Sequence, residues 1–241
     1  MSLLSSFTKR STLDAAVKQV AKARKSEAAL AEQLYKGAYQ GFASVIADNL
    51  IVSEALYNWG FGLLHQAEIQ PREQAVETLE DAISKFSFCL LTAPNYLGAA
   101  IDGGVAFMEL ARLSAEEPSK QYLYSMAKQF FEKAGNIQKG SAAYNLACLY
   151  ALSNDHDACL AALKQAKEFG SLPDDAVIFA DVDMVSVVDE TWFKEFLVEA
   201  RKKPEPEAKA TKEQQEAISY EPKLNLRKTE DFDYYAKDES K

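Results

Sequence analysis

A helical hairpin pattern that recurs along the chain constrains the fold more than any other feature. Residues 141–173 contain two helical stretches joined by the polar turn Ser153-Asn154-Asp155. Small and large apolar residues share one face of each helix: Ala143, Leu146, Ala147 and Tyr150 on the first, then Cys159, Leu163 and Ala166 on the second. The small residues let the two helices pack closely, but the pair keeps one apolar face exposed, so the pattern predicts further hairpins stacked on it.

Two earlier units repeat this pattern, at residues 53–94 and 95–137, with a degenerate hairpin or long helix at residues 12–50. Around residues 67–81 the chain is longer than a short turn, so the helices on either side are expected to be extended, with Pro71 in the first turn of the second. Residues 113–122 are expected to be an insertion in the next unit. The 95–137 unit carries the pair Gly103-Gly104 inside a predicted helix. Because helix-interior glycine is unfavourable, the pair indicates close helix packing or, as the alternative, close approach of a ligand.

These spacings resemble the tetratricopeptide repeat (TPR), in which small, aromatic and leucine residues alternate in this way on paired helices. The segment at residues 174–201 is similar to the terminal cap of bacterial repeat proteins of this type. Its capping residues would be Val188, Trp192, Phe193, Phe196 and Leu197. The resemblance implies an all-α fold: a right-handed superhelical stack of helix–turn–helix repeats closed by capping helices.

Both ends of the chain are expected to lie outside the repeats, as a flexible N-terminus at residues 1–11 and a disordered charged tail at residues 202–241. Within the tail, Phe232, Tyr234 and Tyr235 stand among acidic residues. They are either incidental aromatics in a solvated tail or anchors that dock on a partner or on the protein's own groove near Tyr57 and Tyr144.

The charge balance bears on the choice of partner. The chain has 27 basic and 36 acidic residues, a net charge of −9, which repels nucleic-acid phosphates and anionic lipids. No apolar run is long enough to cross a bilayer, and the first ten residues do not resemble a secretory leader. These observations predict a cytoplasmic protein that neither binds nucleic acid nor inserts into a membrane.

Sequence motifs for catalysis or metal binding are not found. Cys89, Cys148 and Cys159 form no C-x-x-C pair and are expected to be buried, reduced thiols. His65 and His156 lack the neighbours that a nucleophilic or zinc site requires. We therefore predict no enzyme, no cofactor and no metal.

The TPR resemblance implies a concave groove lined by the first helix of each hairpin, where a peptide or a helix of another protein binds. The positions that match the groove are Tyr57, Asn58, Phe61, Leu64, His65, Ile101, Asp102, Val105, Glu109, Tyr144, Asn145, Cys148 and Leu152. No basic residue accompanies Asn58 and Asn145 at these positions, so an amphipathic or aromatic peptide suits them better than a C-terminal carboxylate.

The predicted function is a non-catalytic adaptor that binds proteins in this groove. One alternative is a structural subunit of a larger assembly, with the N-terminal helix making the main contact. Another is a cofactor-binding enzyme component with a site around His65 and the glycine pair. Self-association and tail docking stay open.

Overall fold

The computed structural model describes residues 3–47 and 51–202, and every regular element in these two ranges is a helix. Eight helices come first: α1 (Leu3–Ala23), α2 (Ala28–Ala47), α3 (Val52–Ala67), α4 (Arg72–Thr92), α5 (Leu97–Leu113), α6 (Glu117–Ile137), α7 (Ala143–Leu152) and α8 (His156–Glu168). They are followed by α9 (Asp175–Ala180), a 3-10 turn (Val182–Met184) and α10 (Thr191–Arg201).

The helices form four consecutive hairpins, α1–α2, α3–α4, α5–α6 and α7–α8, and each hairpin packs on the next. The prediction of an all-α stack of helical hairpins is confirmed. The first hairpin starts earlier than expected, because α1 already begins at Leu3, inside the predicted flexible N-terminus.

One packing pattern recurs on the second helix of all four hairpins. A small or medium residue, a large residue and another small or medium residue follow at spacings of four and three, and all twelve side chains are fully buried. The sets are Ala38, Phe42 and Val45; Ala82, Phe86 and Cys89; Ala127, Phe131 and Ala134; and Cys159, Leu163 and Ala166. The large side chain fills the space left where the small ones let the neighbouring backbone approach.

Glycines on the first helices receive these large side chains. A Cβ atom at Gly104 would lie 2.4 Å from Cε1 of Phe131, and one at Gly60 would lie 2.9 Å from Cε1 of Phe86. A Cβ atom at Gly103 would likewise lie 2.4 Å from Cε1 of Phe130. Close helix packing therefore explains the glycine pair, and no space for a ligand is left beside it.

The extra residues of the middle hairpins lengthen the helices and add no loop. Both α4 and α6 have 21 residues, against 13 in α8, and α6 begins at Glu117, soon after α5 ends at Leu113. The predicted insertion at residues 113–122 is thus mostly the first turns of a helix.

The end of the stack is covered by α10 and by the segment at residues 178–188, which we call the strap. Fully buried strap residues are Ile178, Met184 and Val187, and Phe193 of α10 is also fully buried. Phe196 and Leu197 join the same core, whereas Trp192 stays half-buried at its edge. The last hairpin therefore buries its open face against the strap and α10, which follow it directly in the chain.

Candidate functional site

The first helices of neighbouring hairpins are linked along one side of the stack, which we call the first-helix face. Arg10 of α1 binds Glu54 of α3 at 2.7 Å, and the guanidinium of Arg24 lies 5.3 Å from the ring centre of Phe61. The hydroxyl of Tyr57 donates a hydrogen bond of 3.0 Å to Asp102 of α5. These contacts fix α1, α3 and α5 side by side.

On α3, aromatic residues dominate this face. Tyr57 packs on Phe61 and Tyr96, with ring centres 6.2 and 4.9 Å apart, and Phe61 meets His65 edge to face at 4.5 Å. Nδ1 of His65 lies 3.0 Å from a carboxylate oxygen of Glu68. This environment resembles a packed aromatic ladder and offers no nucleophile beside the histidine, so it does not suit catalysis.

On α5, the half-buried side chains of Ile101, Val105 and Glu109 continue the face. Arg112 follows one turn later, and its guanidinium donates a hydrogen bond of 2.9 Å to Glu109. The α5 portion thus presents two apolar side chains beside an acidic and a basic one.

Five of the predicted groove residues are buried, namely Asn58, Leu64, Asp102, Tyr144 and Cys148. The side-chain amide of Asn58 donates to the backbone carbonyl of Glu54 at 2.8 Å, within its own helix. A buried amide bound in this way is not placed to form hydrogen bonds with the backbone of a docked peptide. Half-buried positions are Tyr57, Phe61, His65, Ile101, Val105, Glu109, Asn145 and Leu152.

Tyr144 and Cys148 are buried because the strap lies across α7. The hydroxyl of Tyr144 donates to Oδ2 of Asp181 at 3.0 Å, and the thiol of Cys148 donates to the same oxygen at 3.6 Å. Two residues further, the carboxylate of Asp183 binds the guanidinium of Arg112 through both oxygens. The protein's own chain therefore occupies the part of the groove that was expected to bind a partner at α7.

Sequence reasoning missed Arg112, Asp181 and Asp183. Arg112 lies three residues after Glu109, hence on the same helix face, and this spacing could have identified it. The two aspartates follow the last repeat in a segment without helical periodicity, where no spacing rule shows which helix they contact.

Burial governs the ionisation of this cluster. It raises the pKa of the Tyr144 hydroxyl and of the Cys148 thiol, and the neighbouring Asp181 carboxylate acts in the same direction. Burial also raises the pKa of Asp183, against the opposing effect of Arg112. Both donors to Asp181 thus keep their protons at neutral pH.

Cys148, Asp181 and Asp183 bring ligand atoms of metal-binding type within 4.8 Å of one another. Arg112 already places a positive charge on this group, and the thiol is protonated, whereas a metal would need the thiolate. The chemistry of these donors fits a hydrogen-bonded latch better than a metal site. Cys89 and Cys159 are also buried, which raises the pKa of each to about 12 and makes them poor nucleophiles.

A cleft of about 540 Å³ opens away from the predicted groove residues, between α4, the end of α5 and the start of α6. Its lining is mainly apolar and includes Val76, Leu110, Leu113, Pro118 and Tyr122. None of the residues of the first-helix face named above lines it.

Comparison with known proteins identifies the family. Residues 29–160, from α2 into α8, match the family described as plant specific mitochondrial import receptor subunit TOM20. The chain belongs to this plant TOM20 family. The match covers the hairpins α3–α4 and α5–α6 completely, together with nearly all of α2, all of α7 and the first residues of α8, whereas α1 lies outside it. The family therefore shares the middle of the helical stack.

Mitochondrial import receptor subunit TOM20-3 of Arabidopsis thaliana is 28% identical over 111 residues, which is 46% of this chain and 55% of that protein. The aligned part thus spans about half the length of this relative. Among solved structures, a thermophilic TPR protein of Thermus thermophilus aligns with a TM-score of 0.49 and 16% identity, over 80% of this chain and 98% of that one.

The family corrects the predicted localisation. TOM20 proteins of this family are mitochondrial import receptor subunits, so the prediction of a cytoplasmic protein is wrong. That prediction was based on net charge, on the lack of a long apolar run and on the first ten residues, and none of these carries a signal for the organelle at which a protein works. Within residues 3–47 and 51–202, no helix is long and apolar enough to cross a membrane.

A receptor family agrees with the prediction of a protein-binding, non-catalytic role. The tail residues Phe232, Tyr234 and Tyr235 lie outside the described residues.

Proposed function

We propose that this protein is a receptor subunit of mitochondrial protein import that binds amphipathic segments of other polypeptides along α3 and α5. The observation that carries the proposal is the half-buried apolar surface of Phe61, Ile101 and Val105 on the first-helix face of an import receptor family member. An amphipathic helix would lay its apolar side on this surface.

Charge supports the same type of partner. Targeting segments of mitochondrial proteins are amphipathic, rich in arginine and poor in acidic residues. The chain carries a net charge of −9, whereas Glu54 and Glu109 on the first-helix face are already paired with Arg10 and Arg112, so the attraction to a basic segment is that of the whole chain. Opposite charges would raise the rate of encounter and favour basic segments over acidic ones.

The proposed groove is shorter than the sequence predicted. It uses Tyr57, Phe61, His65, Ile101, Val105 and Glu109, because the strap covers Tyr144 and Cys148. Asn145 and Leu152 would border its α7 end. In this proposal, residues 53–94, 95–137 and 141–173 are the repeat units, and the bacterial type of the cap at 174–201 stays a prediction.

A binding titration tests the groove. A fluorescently labelled targeting peptide of a mitochondrial precursor is titrated with the full chain, with Val105→Lys and with Val198→Lys. Val198 is an exposed residue of α10, so it controls for the added charge. We expect Val105→Lys to weaken binding about tenfold or more, because it places a positive charge in the groove, and Val198→Lys to bind like the wild type. Equal affinities of the two variants would refute this groove.

A second candidate is a structural subunit of a larger assembly, since the members of the matched family are import receptor subunits. Here an outer surface of the N-terminal hairpin would bind the assembly. Deleting α1 would not test this role, because Leu13, Ala16 and Val20 are buried against α2 and their loss would disrupt the core of the first hairpin. Lysine substitutions at the exposed Ala15 and Ala21 leave that core intact, and loss of co-purifying subunits with unchanged peptide affinity would favour this role.

A further inference from the structure

The strap is held by a set of donors that converge on two carboxylates. Arg112 of α5 binds Asp183, while Tyr144 and Cys148 of α7 donate to Asp181. Tyr144 and Cys148 are each 4% exposed, so the donors lie in a built site and not on open surface. A guanidinium with two neutral donors beside it suits recognition of paired carboxylates.

The burial of the side chains between and after these aspartates shows which residue pattern the site accepts. Val182 is 64% exposed and Val185 is 66% exposed, whereas Met184 is fully buried. The site therefore recognises two aspartates separated by one freely exposed apolar residue, followed by one apolar residue that is buried.

The same pattern occurs at one other place in the sequence. Asp181-Val182-Asp183-Met184-Val185 corresponds, position by position, to Asp231-Phe232-Asp233-Tyr234-Tyr235 in the tail. Each aspartate is kept, and each apolar position holds an aromatic residue. No other pair of aspartates in the chain encloses an apolar residue in this way.

We propose that Arg112, Tyr144 and Cys148 form a carboxylate-binding site with two alternative occupants, the strap and the tail segment 231–235 of the same chain. In the structure the strap occupies the site. In the other state Asp231 takes the place of Asp181 at Tyr144 and Cys148, and Asp233 takes the place of Asp183 at Arg112.

Chain length permits this exchange. Residues 203–230 connect the end of α10 to the segment and can extend on the order of 90 Å, more than the width of a domain of this size. The strap is the major occupant, since it also buries Ile178, Met184 and Val187. When the tail is bound, the released strap uncovers the side of α7 next to the α5 surface. The site is independent of whether the groove on α3 and α5 binds targeting peptides.

Disulfide trapping in the full chain tests the proposed register. In the Asp231→Cys variant, the new thiol replaces the residue that corresponds to Asp181, whose Oδ2 lies 3.6 Å from Sγ of Cys148. After treatment with diamide, we expect mass spectrometry to find the disulfide between residues 231 and 148, more than those to Cys89 or Cys159. Position 240 lies in the same tail but outside the pattern, so the Ser240→Cys variant should form the disulfide between residues 240 and 148 in a yield at least about threefold lower.

Two further variants decide whether the donors matter. Adding Arg112→Gln to Asp231→Cys should lower the yield of the disulfide between residues 231 and 148, because Asp233 loses its partner. Adding Asp183→Asn to Asp231→Cys should raise this yield, because the strap then lacks its ion pair with Arg112. Equal yields for residues 231 and 240, or a yield that Arg112→Gln leaves unchanged, would overturn the proposal. A disulfide found mainly between two chains would show a second copy as occupant and would overturn the intramolecular form.

Peptide binding gives a second measurement. A labelled peptide of residues 229–236 should bind the full-length Asp181→Asn/Asp183→Asn variant about tenfold more tightly than a control peptide with asparagine at 231 and 233. The control peptide cannot form charge-assisted hydrogen bonds with Arg112. Equal binding of the two peptides would contradict carboxylate recognition. If that variant does not fold, as thermal unfolding would show, the trapping experiment with the native strap decides.

Discussion

Arg112 of α5 binds the carboxylate of Asp183, 71 positions later in the chain, and so connects the middle of the repeat stack to the strap that closes it. The side chain of Arg112 is 23% exposed and that of Asp183 is 11% exposed. A pair this well shielded from water depends on both partners, because either charge left alone inside the protein is costly.

The two partners should nevertheless respond differently to mutation. Arg112→Met leaves the carboxylate of Asp183 without its cation, and we expect it to lower the free energy of unfolding by about 3–5 kcal/mol. Asp183→Asn leaves Arg112 with Glu109 and removes a buried charge, so the loss should be about 1 kcal/mol. Urea unfolding at pH 7 measures both, and equal losses would contradict this asymmetry.

The pH dependence of the same pair follows from the raised pKa of Asp183, whose first cause is burial. A carboxyl with a higher pKa in the folded than in the unfolded state binds protons more strongly when folded. Its stabilising contribution is therefore complete below its ordinary pKa of 3.8 and is lost as the pH rises through the folded-state value. We expect the wild type to gain stability relative to Asp183→Asn as the pH falls from 7 towards 4. The opposite trend would mean that Arg112 outweighs burial.

Two glycines provide a matched test of the helix packing. In Gly104→Ala the new Cβ would meet the ring of Phe131 at 2.4 Å, and we expect a loss of about 1–3 kcal/mol in the free energy of unfolding despite the better helix propensity of alanine. At Gly135 of α6 no atom lies within 4 Å of the added Cβ, so Gly135→Ala should stabilise by about 0.5–1 kcal/mol. A stabilised Gly104→Ala variant would show that the first helices pack less closely than described.

The adjacent aromatics of α10 differ in burial and should differ in energetic importance. Phe193 is fully buried, so Phe193→Ala should cost about 3–5 kcal/mol through the cavity it creates. Trp192 is half-buried and packs against His156, with ring centres 5.7 Å apart, so Trp192→Ala should cost only about 1–2 kcal/mol. Thermal unfolding of the two variants measures the difference, and a larger loss at Trp192 would mean that α10 is rotated.

Much of the fold could be predicted from local spacing. The positions of Phe42, Phe86, Phe131 and Leu163 recur because every second helix must fill the same space beside small residues. Helix boundaries were harder to predict: Pro71 was expected to lie in the first turn of a helix, and α4 begins directly after it, at Arg72. The segment at residues 113–122 carried no apolar periodicity strong enough to show that α6 begins inside it.

The groove could be predicted only in part. Periodicity places Tyr57, Phe61 and Val105 on one helix side, but it does not tell whether another segment covers that side. The strap covers Tyr144 and Cys148 through contacts with Asp181, 37 and 33 positions away in sequence. A pattern within one helix contains no information about such a contact.

The sequence by itself determined the helical hairpins, their small and large packing positions and the closing role of α10, because each depends on residues a few positions apart on one helix. The tertiary structure alone decided which first-helix residues remain accessible, how Arg112 and Asp183 pair, and where the strap ends the groove. Those features join residues distant along the chain, and only packing brings their side chains within hydrogen-bond distance.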